Sequence, residues 1–253
     1  MIVYALIGAA IMGVSLGLFG AGGTTLAVPI LVYLVGHSEK QAIIESLAIV
    51  GTIAAAGCLQ AAVRRRVSWA HVILFGAPGM VGAFLGAFAA KYIPGVYQLL
   101  ALAVMIFFVA AMMLRPVAAR PASAATWLAV PPGFGVGLVT GTLGVGGGFM
   151  IVPALVLLCG LDISIAIGTS LGIIALNSFV GFAKSAATAG ELGVTLNPST
   201  IAIFAIVGSL GGSLGSYVGG HIDQQRLRKA FALFLICLAA YILVVEGRHA
   251  MRM

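Results

Sequence analysis

A glycine cluster in front of a short apolar segment has chemical potential of its own, because it bares backbone N–H groups to a ligand with no side chain in the way. This chain carries two such clusters. Gly20-Ala-Gly22-Gly23-Thr24-Thr25 leads into Val28-Pro29, and Gly144-Val-Gly146-Gly147-Gly148 leads into Val152-Pro153. The short helix expected after each cluster begins with free amides and the positive end of its dipole. Together these features make an anion site that needs no cationic side chain. Thr24 and Thr25 add hydroxyl donors in the first copy, whereas Gly148 stands in place of Thr24 in the second. Pro29 and Pro153 are expected within the first turns of these helices, where a missing N–H costs least.

Close packing is the competing use of glycine, and elsewhere in the chain it is the better reading. Gly82, Gly86 and Ala90, like Gly211, Gly215 and Gly219, are small residues four apart, the spacing that lets membrane helices approach closely. The paired clusters differ in being duplicated, contiguous and followed by a short segment, which favours a ligand-lining role.

A second set of polar residues falls on one helical face. Ser170, Asn177, Gly181 and Lys184 share a stripe by their spacing, and the equivalent positions in the first half are Ser46, Ile53, Gly57 and Gln60. Polar groups on one stripe of a lipid-embedded helix are expected to face a cavity or another helix. Ser46, Ser170 and Asn177 therefore join the glycines as candidate substrate ligands; the competing role for a serine is a bond to its own helix backbone. Glu45, Gln60 and Lys184 are candidates for coupling or gating, with Glu45 as a proton carrier and Lys184 as an attractor of anions. Glu45 and Lys184 both lie near helix ends, so snorkelling to the interface competes. His37, His71, His221 and His249 fall at helix ends or in loops and read as structural. Cys58, Cys159 and Cys237 lie in apolar runs as small hydrophobes, and no spacing suggests a metal or a cofactor. Gly168-Thr-Ser170-Leu-Gly172 matches G-x-S-x-G, but that motif needs a strand–turn–helix context and a histidine in reach. Its counterpart Ile44-Glu-Ser46-Leu-Ala48 has lost both glycines.

The elements that hold these residues are membrane helices. Only 8% of the 253 residues are charged and 62% are hydrophobic, whereas a soluble domain carries about a quarter charged residues. Apolar runs such as Val72–Ala90 and Ile201–Gly219 reach the roughly 20 residues that a spanning helix needs. Met1 to Phe19 is expected to span as well, since it lacks the basic start of a cleaved leader. The net charge of +7 fits cytoplasmic loops rich in Lys and Arg, not nucleic-acid binding. No G-x-x-x-x-G-K-[ST] occurs, so no ATP hydrolysis is expected.

The glycine clusters anchor an internal repeat at an offset of 124 (Gly17 against Gly141), which becomes 129 after an insertion (Gly79 against Gly208). The expected organisation is a first repeat at 1–114, a linker at 115–126 and a second repeat at 127–253. Each repeat reads as five apolar segments: 2–19, 24–36, 41–62, 70–90 and 97–114, then 127–143, 149–160, 165–187, 199–219 and 230–246. Arg64-Arg65-Arg66 follows the third segment of the first repeat, and Arg226, Arg228 and Lys229 follow the fourth of the second. Both clusters lie inside only if the repeats are inverted. That scheme puts the linker inside, the N-terminus outside, and Arg248 and Arg252 on the less favoured side. It also requires the first two segments of each repeat to run down and back about the glycines. The expected fold is thus an all-α polytopic membrane protein, with two inverted repeats whose Gly-broken hairpins meet near the midplane. Many secondary transporters are built this way.

The doubled G-x-G-G with its downstream V-P, supported by Gly168-Thr-Ser170-Leu, resembles the TauE/SafE sulfite-exporter family across essentially the whole chain. The resemblance implies a multi-pass permease of the bacterial inner membrane for sulfur-containing anions such as sulfite, sulfoacetate or other organosulfonates. It would work by alternating access, with protons a candidate coupling ion and no cofactor. An anion channel, or a receptor or assembly subunit whose glycines only pack helices, are the alternatives.

Overall fold

In the computed structural model the described residues are 2–19, 23–114, 129–143 and 148–219, with positions 229, 232, 233, 236, 237 and 239–244 of the last segment. They are helical almost throughout, and no strand occurs among them. The elements are α1 (Ile2–Phe19), α2 (Gly23–Pro29), α3 (Glu39–Val63), α4 (Trp69–Ala90), α5 (Gly95–Leu114), α6 (Val130–Leu143), α7 (Gly148–Cys159), α8 (Ile163–Ala189) and α9 (Pro198–Gly219). Nine of the ten expected segments thus form, with ends displaced by no more than three residues, and the tenth, 230–246, lies partly outside the described residues. The linker expected at 115–126 lies outside the described residues, as do His221 and His249.

Among the described residues four helices, α3, α4, α8 and α9, are long and apolar enough to cross a membrane. Two of them are central: 72% of the apolar window of α3 and 67% of that of α8 are buried, against 44% for α4 and 22% for α9. The outer helices turn apolar stripes outward, as Ile206, Leu210 and Leu214 do on α9. Such a surface suits lipid. Trp69, 58% exposed, opens α4 where an interfacial aromatic belongs.

The helices pair across the repeats more than within them. Phe75, Gly79 and Ala83 of α4 lie against Gly133, Gly137 and Gly141 of α6, so the two helices run parallel. Gly13 and Gly17 of α1 lie in the same way against Gly208 and Gly212 of α9. These are corresponding pairs, since α4 matches α9 and α1 matches α6 in the repeat. Gly82 and Gly86 face the α6 backbone, and Gly211 and Gly215 the α1 backbone, as their spacing predicts. At Gly86 a Cβ would fall well inside van der Waals contact with the Leu138 carbonyl oxygen, so only glycine permits that approach.

The central helices run antiparallel. Leu47 of α3 meets Gly181 of α8, Gly51 meets Phe179, and Gly57 meets Leu171. Val72, Gly76 and Gly79 of α4 follow Gly172, Leu176 and Asn177 of α8 in parallel, while Ile53 and Gln60 of α3 follow Gly208 and Ser213 of α9.

α2 returns along α1, with Gly23 beside Met12 and Leu16, and Ile30 and Leu34 beside Gly8. One expectation needs correcting here. Pro29 is not in the first turn; it is the last residue of α2, and the chain continues as a π-helical stretch over Ile30–Val35. A proline inside a helix cannot donate to the carbonyl four residues back, which loosens the register at that point. The stretch ends at Gly36, whose φ of 85° is open to glycine and closed to most other residues. Pro153, the sixth residue of α7, is likewise past the first turn, though the helix runs on with no such change of register.

Candidate substrate site

The two short helices that follow the glycine clusters touch each other. Gly23 is the first residue of α2 and Gly148 the first of α7. Thr24 is fully buried, and Thr25 follows it in the same helix. Gly20, Gly22, Gly144, Gly146 and Gly147 lie outside the described residues. The glycine clusters come immediately before these two helices in the chain.

Polar side chains at mid-height come from α8. Asn177 is 2% exposed and packs flush against Gly79 of α4, and neither its amide nitrogen nor its carbonyl oxygen has a partner among the described residues. The hydroxyl of Ser178, next to Gly51 of α3, is equally buried and equally unpartnered. Each such group costs about 1–3 kcal/mol when left without a hydrogen bond. The corresponding residues of α3 are Ile53 and Ala54, so this polarity belongs to one repeat only. Ser46 and Ser170 instead donate to carbonyls of their own helices, Ile43 at 2.8 Å and Ile167 at 2.7 Å.

Glu45 does not snorkel. It is fully buried, and its Oε1 accepts from the Asn197 N–H at 2.7 Å and from Gln41 Nε2 at 2.9 Å. His37 Nδ1 lies 2.8 Å from the other carboxylate oxygen, within ion-pair distance but not aligned as a hydrogen bond. The repeat-related residue Thr169 accepts from the Ser68 N–H at 2.9 Å. Ser68 precedes α4 and Asn197 precedes α9, at matching positions. Glu45 and Thr169 thus perform one task, each holding the start of the fourth helix of the opposite repeat.

Gln60 and Lys184 also have equivalent surroundings. Gln60 Nε2 donates to Ser213 Oγ of α9 at 2.5 Å. Lys184 Nζ sits 5.4 Å from the ring centroids of both Phe84 and Phe88 of α4. Phe84 is the repeat counterpart of Ser213, so the two contacts join corresponding positions of the sequence repeat.

Sequence reasoning assigned no role to Lys40, which proves to be a tie between four helices. Its ammonium donates to the carbonyls of Ala90 (2.6 Å) and Ile93 (2.5 Å), closing the end of α4, and to Gln98 Oε1 (2.8 Å). Gln98 in turn donates to the Thr142 carbonyl of α6. A lysine beside a predicted helix start reads as an interfacial charge, and only the fold brings the carbonyls to it. Ser68, Asn197 and Ser213 were missed for the same reason. At the same end Lys91 and Glu191 form an exposed ion pair: the hydrogen bond and charge of Glu191 push Lys91 up, and those of Lys91 push Glu191 down. Among the described residues no cluster of His, Cys, Asp and Glu is able to hold a metal ion.

Compared with known proteins, the sequence matches the family described as Sulfite exporter TauE/SafE over residues 5–242. It is 32% identical over 251 residues to a probable membrane transporter protein of Xylella fastidiosa (strain Temecula1 / ATCC 700964), covering 92% of this chain and 91% of that one. A probable membrane transporter protein of Haemophilus influenzae is 27% identical over 248 residues, 91% of this chain and 93% of its own.

Proposed function

The chain belongs to the sulfite exporter TauE/SafE family of membrane transporters, and from that premise we propose that it is a secondary carrier of small sulfur-containing oxyanions. Sulfite, sulfoacetate and related organosulfonates are the substrate class. The anion is held between the glycine-cluster tips, where Gly20, Gly22, Gly23, Gly144, Gly146, Gly147 and Gly148 offer backbone amides and Thr24 and Thr25 offer hydroxyls. Asn177, and further out Ser46 and Ser170, line its surroundings.

The observation that carries this reading is the contact between α2 and α7, each the first helix after a glycine cluster, one from each repeat. Irregular backbone at membrane depth is tolerated where protein or a water-filled cavity surrounds it, and broken helices meeting between repeats are where secondary carriers bind. The antiparallel α3 and α8 support inverted repeats spanning 1–114 and 127–253. In that arrangement α1, α3 and α9 run the same way, which puts Arg64–Arg66 and the chain after α9 on one face and the N-terminus on the other. With the arginines inside, the N-terminus is outside, in a bacterial inner membrane. One set of paired helices then rocks against α3 and α8, exposing the site to each face in turn. Glu45 is the candidate for proton coupling.

Flux into proteoliposomes tests this. Sulfite and sulfoacetate should move, sulfate and phosphate should not, and a pH gradient should drive the movement. Gly22→Ala and Gly146→Ala should abolish anion binding while the protein still elutes as a single folded species. No flux of any of these anions through folded protein would refute the substrate assignment.

A further inference from the structure

Gly36 and Gly160 turn the chain at corresponding corners of the repeat, each with a positive φ, 85° and 66°. The next residue donates its N–H to a carbonyl six positions back at both corners, His37 to Leu31 at 3.0 Å and Leu161 to Leu155 at 3.2 Å. The helices that follow, α3 and α8, each hold the start of a fourth helix through Glu45 and Thr169. One backbone scaffold is thus used twice, with His37 and Glu45 in the first copy and Leu161 and Thr169 in the second. Neither the corner nor the tie needs an ionisable group, since the second copy builds both without one.

In the first copy the two carboxylate oxygens of Glu45 have different surroundings. Oε1 carries the tie, accepting from the Asn197 N–H and from Gln41. Oε2 is buried without a hydrogen bond and lies 2.8 Å from Nδ1 of His37, which is buried and unbonded too. That separation is within reach for proton transfer, and rotation of the imidazole about its Cβ–Cγ bond aligns the two atoms. The His37 side chain is 12% exposed and that of Glu45 fully buried, so the ring is the way out for a proton at the end of α3 opposite Arg64–Arg66. The other ionisable groups near this end are engaged elsewhere. Lys40 donates to the carbonyls of Ala90 and Ile93, and Glu39 lies against Gly95. Tyr33 of the π-helical stretch meets Tyr241 edge-on, Lys184 of α8 lies over Phe84 and Phe88, and Lys91 pairs with Glu191. Tyr217, near the far end, is the one ionisable residue of α9.

We propose that His37 is the proton relay of Glu45. Water on the face opposite Arg64–Arg66 protonates the imidazole, and the imidazolium passes its Nδ1 proton to Oε2. The ring is left neutral with its proton on Nε2, and the reverse steps return the proton to water. Because Oε1 keeps its bonds throughout, the carboxyl group changes charge without releasing α9. This deepens the carrier reading, in which Glu45 couples protons, and rests on it. A purely structural ion pair, the competing account, gives His37 no part in the rate at which Glu45 gains or loses a proton.

The test is time-resolved infrared spectroscopy after a pH jump, on the full chain in lipid nanodiscs with no anion substrate present. The carboxylic acid band that Glu45→Gln removes identifies Glu45 among the six acidic residues. In the parent that band should appear on a downward jump and vanish on an upward one. His37→Gln should slow both changes by about 100-fold, the lower end of what a positioned proton-transfer group contributes. Imidazole added to His37→Ala should restore the rate, a response that loss of a structural contact does not give. A single elution peak reports the fold of each variant. Parent rates in folded His37→Gln, failure of imidazole to speed His37→Ala, or no band assignable to Glu45 in the folded parent each overturns the proposal. None of these readouts needs transport. His37-dependent protonation without sulfite flux would keep the relay and reject the substrate, whereas proton-driven flux with parent rates in His37→Gln would reject the relay and keep the carrier.

Discussion

Glu45 should be replaceable by an amide but not by a methyl group. Its Oε1 accepts the Asn197 N–H from full burial, and glutamine keeps an oxygen at that place. Glu45→Ala strands that N–H, which costs about 1–3 kcal/mol, and removes a buried methylene worth about 0.8 kcal/mol. Relief from losing a buried charge offsets part of this. A net loss of about 2–3 kcal/mol lowers Tm by roughly 4–12 °C, at about 2–4 °C per kcal/mol for a chain of this size. Glu45→Gln forfeits the His37 pair but is also relieved of the buried charge, so it should lose clearly less than Glu45→Ala. Thr169 supplies an internal control: Thr169→Val strands the Ser68 N–H and should be destabilising, while Thr169→Ser should be nearly silent. The buried thiols of Cys58 and Cys159 suit a thiol-reactive dye as the reporter of unfolding. If Glu45→Gln lost as much as Glu45→Ala, charge and not the acceptor would be the source of stability, and the shared role with Thr169 would be refuted. In flux assays Glu45→Gln then isolates coupling, because a stable variant that no longer responds to the pH gradient identifies the carboxylate as the proton carrier.

Asn177→Leu should raise thermal stability by removing two unpartnered polar atoms at little change in volume, while abolishing anion flux; a destabilised variant would mean the amide is satisfied in the membrane. Gly86→Leu should prevent assembly, because its side chain must displace the α6 backbone, and a monodisperse, active variant would contradict the packing. The Lys91–Glu191 pair predicts a small pH window. The depressed Glu191 contributes above the ordinary carboxylate range and loses its contribution as pH falls through its lowered pKa. The raised Lys91 contributes below the ordinary lysine range and loses it as pH rises through its raised pKa. Glu191→Gln should therefore match the parent Tm at both extremes and fall slightly below it between them, a difference that added salt removes.

Helix positions were legible because composition alone reveals a lipid-facing segment, and boundaries such as Trp69–Ala90 follow from where apolar residues stop. The repeat was legible from glycines at constant offset, and the close approach of α4 to α6 from the four-residue spacing of Gly82 and Gly86. Which helix each glycine would meet was not, since Gly86 reads the same whether its neighbour is α3 or α6. The asymmetry of Glu45 and Thr169 stood out in the sequence, yet their common task did not. Their partners are backbone N–H groups of Ser68 and Asn197, and a backbone donor leaves no mark on residue type. Asn177 could be placed on a polar face by its spacing, but its lack of a partner depends on Gly79 lying opposite. The turn to π-helix at Pro29 was missed because the residues after it, Ile30–Val35, are ordinary helix formers in lipid.

The cross-repeat pairing has a consequence for synthesis. Gly13 rests on Gly208, so α1 meets its main neighbour only after 195 further residues (208 − 13) have left the ribosome. At about 5–20 residues per second that is a wait of roughly 10–40 s. Through that interval the glycine-lined face of α1 stays in the bilayer without its permanent partner, and the first half of the chain persists as an unfinished half-molecule. A chain cut between Leu114 and Val130 should nonetheless assemble when both pieces are made together, because the strongest contacts are those between the pieces.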